Sequence, residues 1–164
     1  MAHIVILGAG IGGMPAAYEM REKLPKEHKI TVINAVDFFQ FVPSNPWLAV
    51  GWRKPDDLML KVGPLLARKG IDFIAKLVTK IDPEANRLEL MDGQSVNYDY
   101  LVITTGPKLS FAEVPGAGPV HSGGGGHTHS VCTVPHAEAF WADYQKFLEN
   151  PGPVVIGAMP MASC

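Results

Sequence analysis

The chain has 164 residues, about enough for one domain, with 47% hydrophobic and 18% charged residues. Its net charge of −2 and the absence of a basic run argue against nucleic-acid binding. No apolar stretch approaches the length that spans a bilayer, and the start of the chain lacks the positive segment of a secretory signal. The two cysteines, Cys132 and Cys164, are too few for a disulfide scaffold.

The chain begins with an apolar strand that leads directly into a glycine-rich turn. Residues 3–7 predict the strand, residues 13–24 a helix, and residues 30–33 a second strand at βαβ distance. In such a unit the first glycine permits the tight turn, the second lets the backbone approach phosphates, and the last lets the helix lie on the sheet. The turn therefore predicts a dinucleotide site, with a purely structural turn as the alternative. The predicted cofactor-binding residues of the turn are Gly8, Ala9, Gly10, Gly12 and Gly13.

The second strand ends at an amide where nucleotide-binding domains usually place an acid. Asn34 occupies this position, and Asp37 follows three residues later. An acid there binds the ribose hydroxyls, and an amide can also do so because it both donates and accepts hydrogen bonds. Asn34 is therefore a predicted ribose contact, although the substitution weakens the case for an ordinary NAD site.

The next part of the chain is harder to assign. An aromatic and proline-rich connection over 37–55 is predicted to lack regular structure, and most of its aromatic side chains are expected in the core. A helix is predicted over 56–69, shortened or kinked at Gly63-Pro64, followed by a strand over 71–74. The stretches 87–90 and 95–98, joined by a turn with Asp92-Gly93, predict a hairpin.

The remainder begins with a strand over 100–104 that ends at Thr105-Gly106. A flexible glycine-rich loop over 115–127 follows; its histidines do not predict a metal site, because a flexible loop is a poor cage. A helix over 135–148 and a fresh strand over 152–157 complete the prediction. The predicted organisation is residues 1–110 as the first domain, 111–150 as loop and connecting helix, and 151–164 as the truncated start of a second domain.

The order of these elements resembles the FAD domain of the flavoprotein reductases that carry two dinucleotide-binding domains. The glycine turn, the hairpin and the strand ending in Ile103-Thr104-Thr105-Gly106 carry the resemblance. The second signature of that superfamily is a strand ending in Ala-Thr-Gly, so Thr104 is a departure. The resemblance implies an α/β, Rossmann-like fold with a parallel sheet and a hairpin excursion, incomplete at the carboxyl end. It also implies FAD as cofactor, with Thr105 and Gly106 among its contacts.

Longer segments resemble sulfide:quinone oxidoreductases, particularly the bacterial type. These segments are residues 6–20, 39–47, 98–108, 132–134 with 136–138, and 152–159 with 162–164; Pro160 and Met161 depart from the family pattern. The family uses FAD, oxidises sulfide to polysulfide sulfur and passes the electrons to quinone at the membrane surface. The resemblance implies a cytoplasmic or peripheral membrane protein, whose membrane contact is made by a carboxyl-terminal part that this chain lacks. A homo-oligomer is compatible with it.

The resemblance also implies roles for individual residues. Cys164 resembles one member of the family's redox-active cysteine pair, and Cys132 resembles its additional cysteine; the other member lies in the part this chain lacks. Hydrosulfide can attack a disulfide sulfur to give a persulfide and a free thiolate, the reactive form of cysteine. His136 is the predicted base, on one helix face with Cys132 if the helix begins early. The resemblance places Pro43 and Asn45 near the isoalloxazine ring.

Other interpretations stay open at this point. The second glycine turn has Gly157, Met159 and Ala162 where a full motif needs glycines, which argues against NAD(P)H as electron donor. The cysteines can also be inert buried thiols. The alternatives are a type II NADH dehydrogenase, the flavin subunit of flavocytochrome c sulfide dehydrogenase, or a non-catalytic nucleotide-binding fragment. The chain by itself is expected to hold FAD weakly and to be inactive.

Overall fold

The computed structural model describes residues 1–120 and 124–157. The chain divides into two compact units. The first unit comprises Met1–Ser44 and Pro55–Ser110, and the second comprises Asn45–Lys54 and Phe111–Cys164. Residues 45–54, which the sequence analysis placed in the first domain, thus group with the later part of the chain. The predicted division at residues 110 and 150 stays a prediction.

The described residues contain nine strands and four α-helices. The strands are β1 (His3–Leu7), β2 (Lys29–Asn34), β3 (Phe38–Gln40), β4 (Met59–Lys61), β5 (Asp72–Ala75), β6 (Val78–Asp82), β7 (Arg87–Leu90), β8 (Ser95–Asn97) and β9 (Tyr100–Ile103). The helices are α1 (Gly13–Lys23), α2 (Asn45–Ala49), α3 (Val62–Ala67) and α4 (Val134–Glu149). Short 3₁₀ segments occupy Val42–Ser44, Pro55–Leu58 and Phe111–Glu113.

A four-stranded parallel sheet in the order β5-β2-β1-β9 forms the centre of the first unit. Consecutive side chains of a strand point to opposite faces, and β1 is apolar on both. Ile4 and Ile6 join a core cluster with residues of α1 and α3, whereas Val5 and Leu7 join a second cluster with β7. The sheet is therefore covered on both sides, and the predicted α/β, Rossmann-like fold is confirmed.

The predicted hairpin is also confirmed, as β7 and β8. Strand β6 was not predicted; it pairs antiparallel with β7 and completes a three-stranded sheet, β6-β7-β8. Most side chains of β6 are exposed, so its sequence lacks the alternation of apolar and polar residues that predicts a half-buried strand. Its pairing with β7 is therefore not visible in the local pattern.

The connection over 37–55 and the helix over 56–69 were predicted wrongly. Strand β3 pairs antiparallel with β4, and Gly63-Pro64 lies in the first turn of α3 rather than in the middle of a longer helix. A proline is tolerated in a first turn because the missing N–H has no intrahelical partner there. The expectation that the aromatic residues are in the core is wrong for three of them, since Phe41, Trp47 and Trp52 are exposed.

In the second unit, the residues before α4 stop the helix from extending further towards the amino terminus. Thr133 is the N-cap, with extended backbone angles and a side-chain oxygen that accepts a hydrogen bond from the His136 N–H at 3.3 Å. The turn after α2 lies against α4: a Cβ built on Gly51, whose φ is +74°, would lie 2.5 Å from the Trp141 ring. Gly51 is therefore required both by its backbone angle and by its neighbour.

The strand predicted over 152–157 is not formed. Residues 151–157 have no regular structure, and Val155 and Ile156 are 95% and 93% exposed. An apolar run becomes a strand only when a neighbouring strand accepts its backbone hydrogen bonds, and the described residues provide none here. Met159 and Ala162, on which the argument about the second glycine turn depends, lie outside the described residues.

Candidate cofactor site

All predicted cofactor-binding residues of the first unit except Pro43 gather at one edge of the parallel sheet. Gly8 directly follows β1, Asn34 ends β2, and Thr105 and Gly106 follow shortly after β9. Backbone hydrogen bonds join these ends: the Gly8 N–H donates to Ile33 O at 2.8 Å, and the Thr104 N–H donates to Leu7 O at 2.8 Å. The carboxyl edge of an open parallel sheet is where α/β proteins bind their ligands.

The glycines of the turn are required for two different reasons. Gly8 has a φ of +110°, and a Cβ on Gly8 or Gly13 would lie well inside 3.0 Å of a backbone oxygen, that of Thr104 or Gly8 respectively. Those two glycines are needed for folding. A Cβ on Gly10, by contrast, would meet no atom within 4 Å, and Gly10 does not have a positive φ. The fold therefore gives no reason for a glycine at position 10, whereas a closely approaching pyrophosphate does.

The helix that follows the turn favours an anion at its start. Gly12 is the N-cap of α1, and the first turn of α1 carries no acidic side chain. The first N–H groups of a helix have no intrahelical acceptors, and the helix dipole adds a partial positive charge there. Arg21 and Lys23 lie in the last turn of α1, at the opposite end. No carboxylate of the first turn therefore competes with an anion bound at the amino end. The residues present thus fit a pyrophosphate.

Asn34 has a contact that the sequence analysis did not predict. Its Oδ1 accepts a hydrogen bond from the Ala9 N–H at 3.1 Å, and its Nδ2 donates to Val36 O at 2.9 Å. A carboxylate could accept the first bond but could not donate the second. The amide therefore ties the glycine turn to the end of β2. Its predicted contact with a ribose hydroxyl stays a prediction.

Asp37, the acid that follows three residues after Asn34, is engaged elsewhere. Its carboxylate lies 2.5 Å from Lys61 Nζ, and both side chains are largely exposed. The hydrogen bond from Lys61 lowers the pKa of Asp37 below its ordinary range. The carboxylate is thus ionised at neutral pH and paired with the end of β4.

Thr104 is a residue of this edge that the sequence analysis noted only as a departure from a motif. Its Oγ1 lies 3.0 Å from Leu7 O and 3.0 Å from Gly8 O. These contacts join residues almost a hundred positions apart in the chain, so no local pattern could have revealed them. The one available signal was its position, directly after an apolar strand that resembles a cofactor-domain signature.

The other two predicted cofactor contacts lie in different units. Pro43 is exposed within the 3₁₀ segment of the first unit, and Asn45 is 1% exposed as the first residue of α2 in the second unit. Their proximity to an isoalloxazine ring stays a prediction.

The early helix start that would bring Cys132 and His136 onto one helix face is not found. Helix α4 begins at Val134, so Cys132 precedes the N-cap Thr133 and is not helical. Cys132 is exposed, whereas His136 is buried and its ring packs edge-on against Phe111, with 5.5 Å between centroids. The role of His136 as a base stays a prediction. Cys164 lies outside the described residues.

The described residues form neither a metal-binding cluster nor a membrane-spanning helix. Within residues 1–120 and 124–157, no group of three or more His, Cys, Asp or Glu side chains is arranged to hold a metal ion. His129 instead lies 3.2 Å from an Asp143 oxygen and packs against Phe140. None of the helices in the same part of the chain is long and apolar enough to cross a membrane.

The parallel sheet, its glycine turn and the antiparallel excursion define a Rossmann-like domain of the oxidoreductase type. The model of the pyridine nucleotide-disulphide oxidoreductase family matches residues 2–162, and the chain belongs to this family.

Two individual relatives show which enzymes of this family the chain is similar to. The chain is 43% identical to the sulfide-quinone reductase of Aquifex aeolicus over 162 residues, which are 99% of this chain and 36% of that protein. It is 31% identical to the mitochondrial sulfide:quinone oxidoreductase of Dictyostelium discoideum over 117 residues, covering 69% of this chain and 25% of that protein. The predicted resemblance to sulfide:quinone oxidoreductases is thereby confirmed.

A solved structure gives the same result. The X-ray structure of the Aquifex aeolicus sulfide:quinone oxidoreductase matches with a TM-score of 0.85 and 40% identity, covering 100% of this chain and 36% of that one. The chain thus spans about a third of the length of these relatives.

Proposed function

We propose that the chain is the FAD-binding part of a sulfide:quinone oxidoreductase and that its glycine turn holds the pyrophosphate of FAD. The observation that carries this proposal is Gly10, a glycine that the fold does not require, at an open position between two glycines that it does. The similarity to the Aquifex aeolicus sulfide-quinone reductase supports the choice of substrate, and the family resemblance implies FAD as the cofactor.

Each residue of the sheet edge would have a defined task toward the cofactor. The N–H groups of the turn and of the first turn of α1 would donate to the phosphate oxygens. Asn34 would hold the turn and offer its remaining hydrogen-bonding capacity to a ribose hydroxyl, while Thr105 and Gly106 would contact the cofactor from the end of β9. We place Pro43 and Asn45 near the isoalloxazine ring on the basis of the family resemblance.

We assign the sulfur chemistry to the cysteines, again from the resemblance. Cys164 would form a disulfide with a cysteine from the part of the relatives that this chain does not span. Attack by hydrosulfide on one sulfur of that disulfide forms a new S–S bond, breaks the old one and releases the other sulfur as a thiolate. Bound FAD would supply two-electron redox chemistry, and quinone at the membrane surface would be the final acceptor. Cys132 would be the additional cysteine.

Cofactor titration of matched glycine variants tests the cofactor assignment. The purified chain is titrated with FAD by flavin fluorescence. We expect Gly10→Ala to weaken FAD binding at least about tenfold without lowering the melting temperature, because its new methyl group meets only the incoming phosphate. Gly152→Ala is the control, since that glycine also has open surroundings and no positive φ. No FAD binding by the wild-type chain, or equal affinities for wild type and Gly10→Ala, would overturn the assignment.

Anaerobic reduction separates sulfide from NADH as the electron source. The test uses the chain fused to the remaining part of the Aquifex aeolicus relative, because the disulfide assigned to Cys164 needs a cysteine from that part. With FAD bound, we expect sulfide to bleach this fusion and Cys164→Ser to slow the bleaching, with NADH having little effect. Rapid bleaching by NADH would instead favour an NADH-dependent enzyme. Bleaching by sulfide that is unchanged in Cys164→Ser would contradict the role assigned to Cys164.

A further inference from the structure

Thr104 occupies the junction between two neighbouring strands and the glycine turn. It directly follows β9, and its N–H donates to Leu7 O, the last carbonyl of β1, at 2.8 Å. This backbone bond continues the pairing of β9 with β1 by one residue. It also fixes the position of the half-buried Thr104 side chain relative to the start of the turn.

The hydroxyl group of Thr104 reaches two consecutive carbonyl groups. Its Oγ1 lies 3.0 Å from Leu7 O and 3.0 Å from Gly8 O. A hydroxyl has one proton to donate, so the two carbonyls share it or receive it alternately. The hydroxyl therefore spans the point where the strand ends and the turn begins. Neither alanine nor valine could make this contact.

The same side chain also lies close to the far end of the turn. A Cβ built on Gly13 would be 2.7 Å from Thr104 Oγ1, and one built on Gly12 would be 3.7 Å from Thr104 Cβ and Cγ2. Thr104 thus fills the angle between the beginning of the turn and the first residues of α1. The hydroxyl contacts the carbonyls at the entry to the turn and leaves no room for a Cβ on Gly13 at its exit.

We infer that Thr104 is a positioning residue that holds the glycine turn in its pyrophosphate-binding shape before the cofactor arrives. This inference rests on the proposed FAD-binding function. Glycines lose much conformational freedom when they are ordered, so a turn that is held in advance gives up less entropy on binding. Asn34 holds the Ala9 N–H independently from β2, so the peptide group between Gly8 and Ala9 is held at its N–H by Asn34 and at its carbonyl by Thr104, from strands on opposite sides of β1.

Three variants and two measurements test the inference. Thr104→Val preserves the shape of the side chain but removes the donor, Thr104→Ser restores the donor, and Thr79→Val is the control. Thr79 also donates a hydroxyl bond to a backbone oxygen, Glu89 O at 3.2 Å, but on the β6-β7 pair. The measurements are FAD affinity and amide hydrogen exchange of residues 8–13 in the cofactor-free 164-residue chain.

We expect Thr104→Val to weaken FAD binding about fivefold and to speed amide exchange in the turn by a similar factor, the usual effect of losing one hydrogen bond. Thr104→Ser should return both to within about twofold of wild type, and Thr79→Val should change neither. The rescue by serine separates a positioning hydroxyl from a general need for bulk at this site.

The outcomes distinguish this inference from the function on which it rests. If the wild-type chain binds FAD and Thr104→Val binds it equally well, the positioning role is overturned and the proposed function stands. If the wild-type chain binds no FAD, the proposed function fails. Faster amide exchange of residues 8–13 in Thr104→Val would then still show that Thr104 holds the turn. Equal exchange in wild type and Thr104→Val overturns the inference in either case.

Discussion

The two units of the molecule differ in how many apolar side chains they bury, although each also exposes some. In the first unit, Val5, Ile6, Val32 and Ile33 are completely buried in the sheet, with covering elements on both faces. In the second unit, a few side chains around α2 and α4 are buried, whereas other apolar side chains are exposed. The exposed ones include Trp52, Leu148, Val154, Val155 and Ile156.

This difference shows which unit can be stable through its own packing. Burial of apolar area is the main favourable term in folding, and the first unit obtains it from its own strands and helices. The glycine turn belongs to that unit, so the candidate site is supported by a core that does not depend on the second unit. All three tryptophans, Trp47, Trp52 and Trp141, lie in the second unit, so their fluorescence reports on that unit alone.

The largest expected effect is on the core of the first unit. Leu66→Ala removes a completely buried side chain from the cluster between α3 and the sheet and should reduce the free energy of unfolding by about 3 kcal/mol. Val155→Ala, at a 95% exposed position, should change it by less than about 0.5 kcal/mol. Urea denaturation followed by far-UV circular dichroism measures both. Similar effects of the two substitutions would remove the contrast between the units.

The next effect concerns the second unit. Gly51→Ala combines a φ of +74° with a Cβ 2.5 Å from the Trp141 ring and should cost about 2 kcal/mol. Tryptophan fluorescence should detect this loss. Gly70→Ala, which lies in the first unit and is followed by far-UV circular dichroism, is the matched variant, because its φ is +67° but its surroundings are open, so only the backbone cost of about 1 kcal/mol is expected there. If Gly51→Ala costs no more than Gly70→Ala, the packing of the turn on α4 is not as described.

A smaller effect is expected at the start of α4. Thr133→Ala removes the oxygen that accepts the His136 N–H and should destabilise the second unit by about 1 kcal/mol. Thr133→Ser keeps that oxygen and should behave like wild type. Loss of helix signal by both variants to the same extent would show that the methyl group, not the cap, matters.

The smallest expected effect is a dependence on pH in the first unit. Burial lowers the pKa of His3 below its ordinary value of 6.5, and the nearby Lys29 cation lowers it further. The folded state therefore binds the His3 proton less readily than the unfolded state does. The stability that this neutral imidazole provides is complete above pH 6.5 and is lost as the pH falls below that value.

Substitution of His3 measures that contribution. His3→Gln retains a polar side chain that can still pair with Thr31 Oγ1, which lies 2.8 Å from the His3 Nε2 atom. The variant should lose less stability than wild type between pH 7 and pH 5, as measured by thermal melts at each pH. Asp37 and Asp92, whose pKa values are lowered by lysine partners, respond only below their ordinary value of 3.8. Parallel pH curves for wild type and His3→Gln would show that His3 makes no such contribution.

Elements that depend on residues close together in the sequence were predicted, whereas strands that depend on distant pairing partners were not. The β1–turn–α1 unit and the β7–β8 hairpin follow from periodicity and turn chemistry within a few residues of each other. The pairing of β3 with β4 joins Phe38 to Lys61, and neither strand has a distinctive pattern of its own. Short strands of this kind are stabilised by their partners rather than by intrinsic preference.

In the candidate site, too, local features were predicted and long-range contacts were not. The glycines were predicted because their spacing is local, whereas the tethers from Asn34 and Thr104 depend on contacts across 25 and 96 or more residues. The helix was predicted over 135–148, and a face shared by Cys132 and His136 required an earlier start, which α4 does not have because it begins at Val134. A threonine followed by a valine and a proline at the first helical positions is itself a start signal, and it places the boundary after Cys132.

The amide of Asn34 has a consequence for the electrical character of the turn. An aspartate at this position would titrate, and its negative charge would lie beside the peptide that leads into the phosphate-binding segment. The amide is neutral at every pH and holds Ala9 with an uncharged hydrogen bond. The hydrogen bond that holds the turn is therefore insensitive to pH and to salt. An incoming diphosphate also meets no fixed negative charge from the Asn34 side chain.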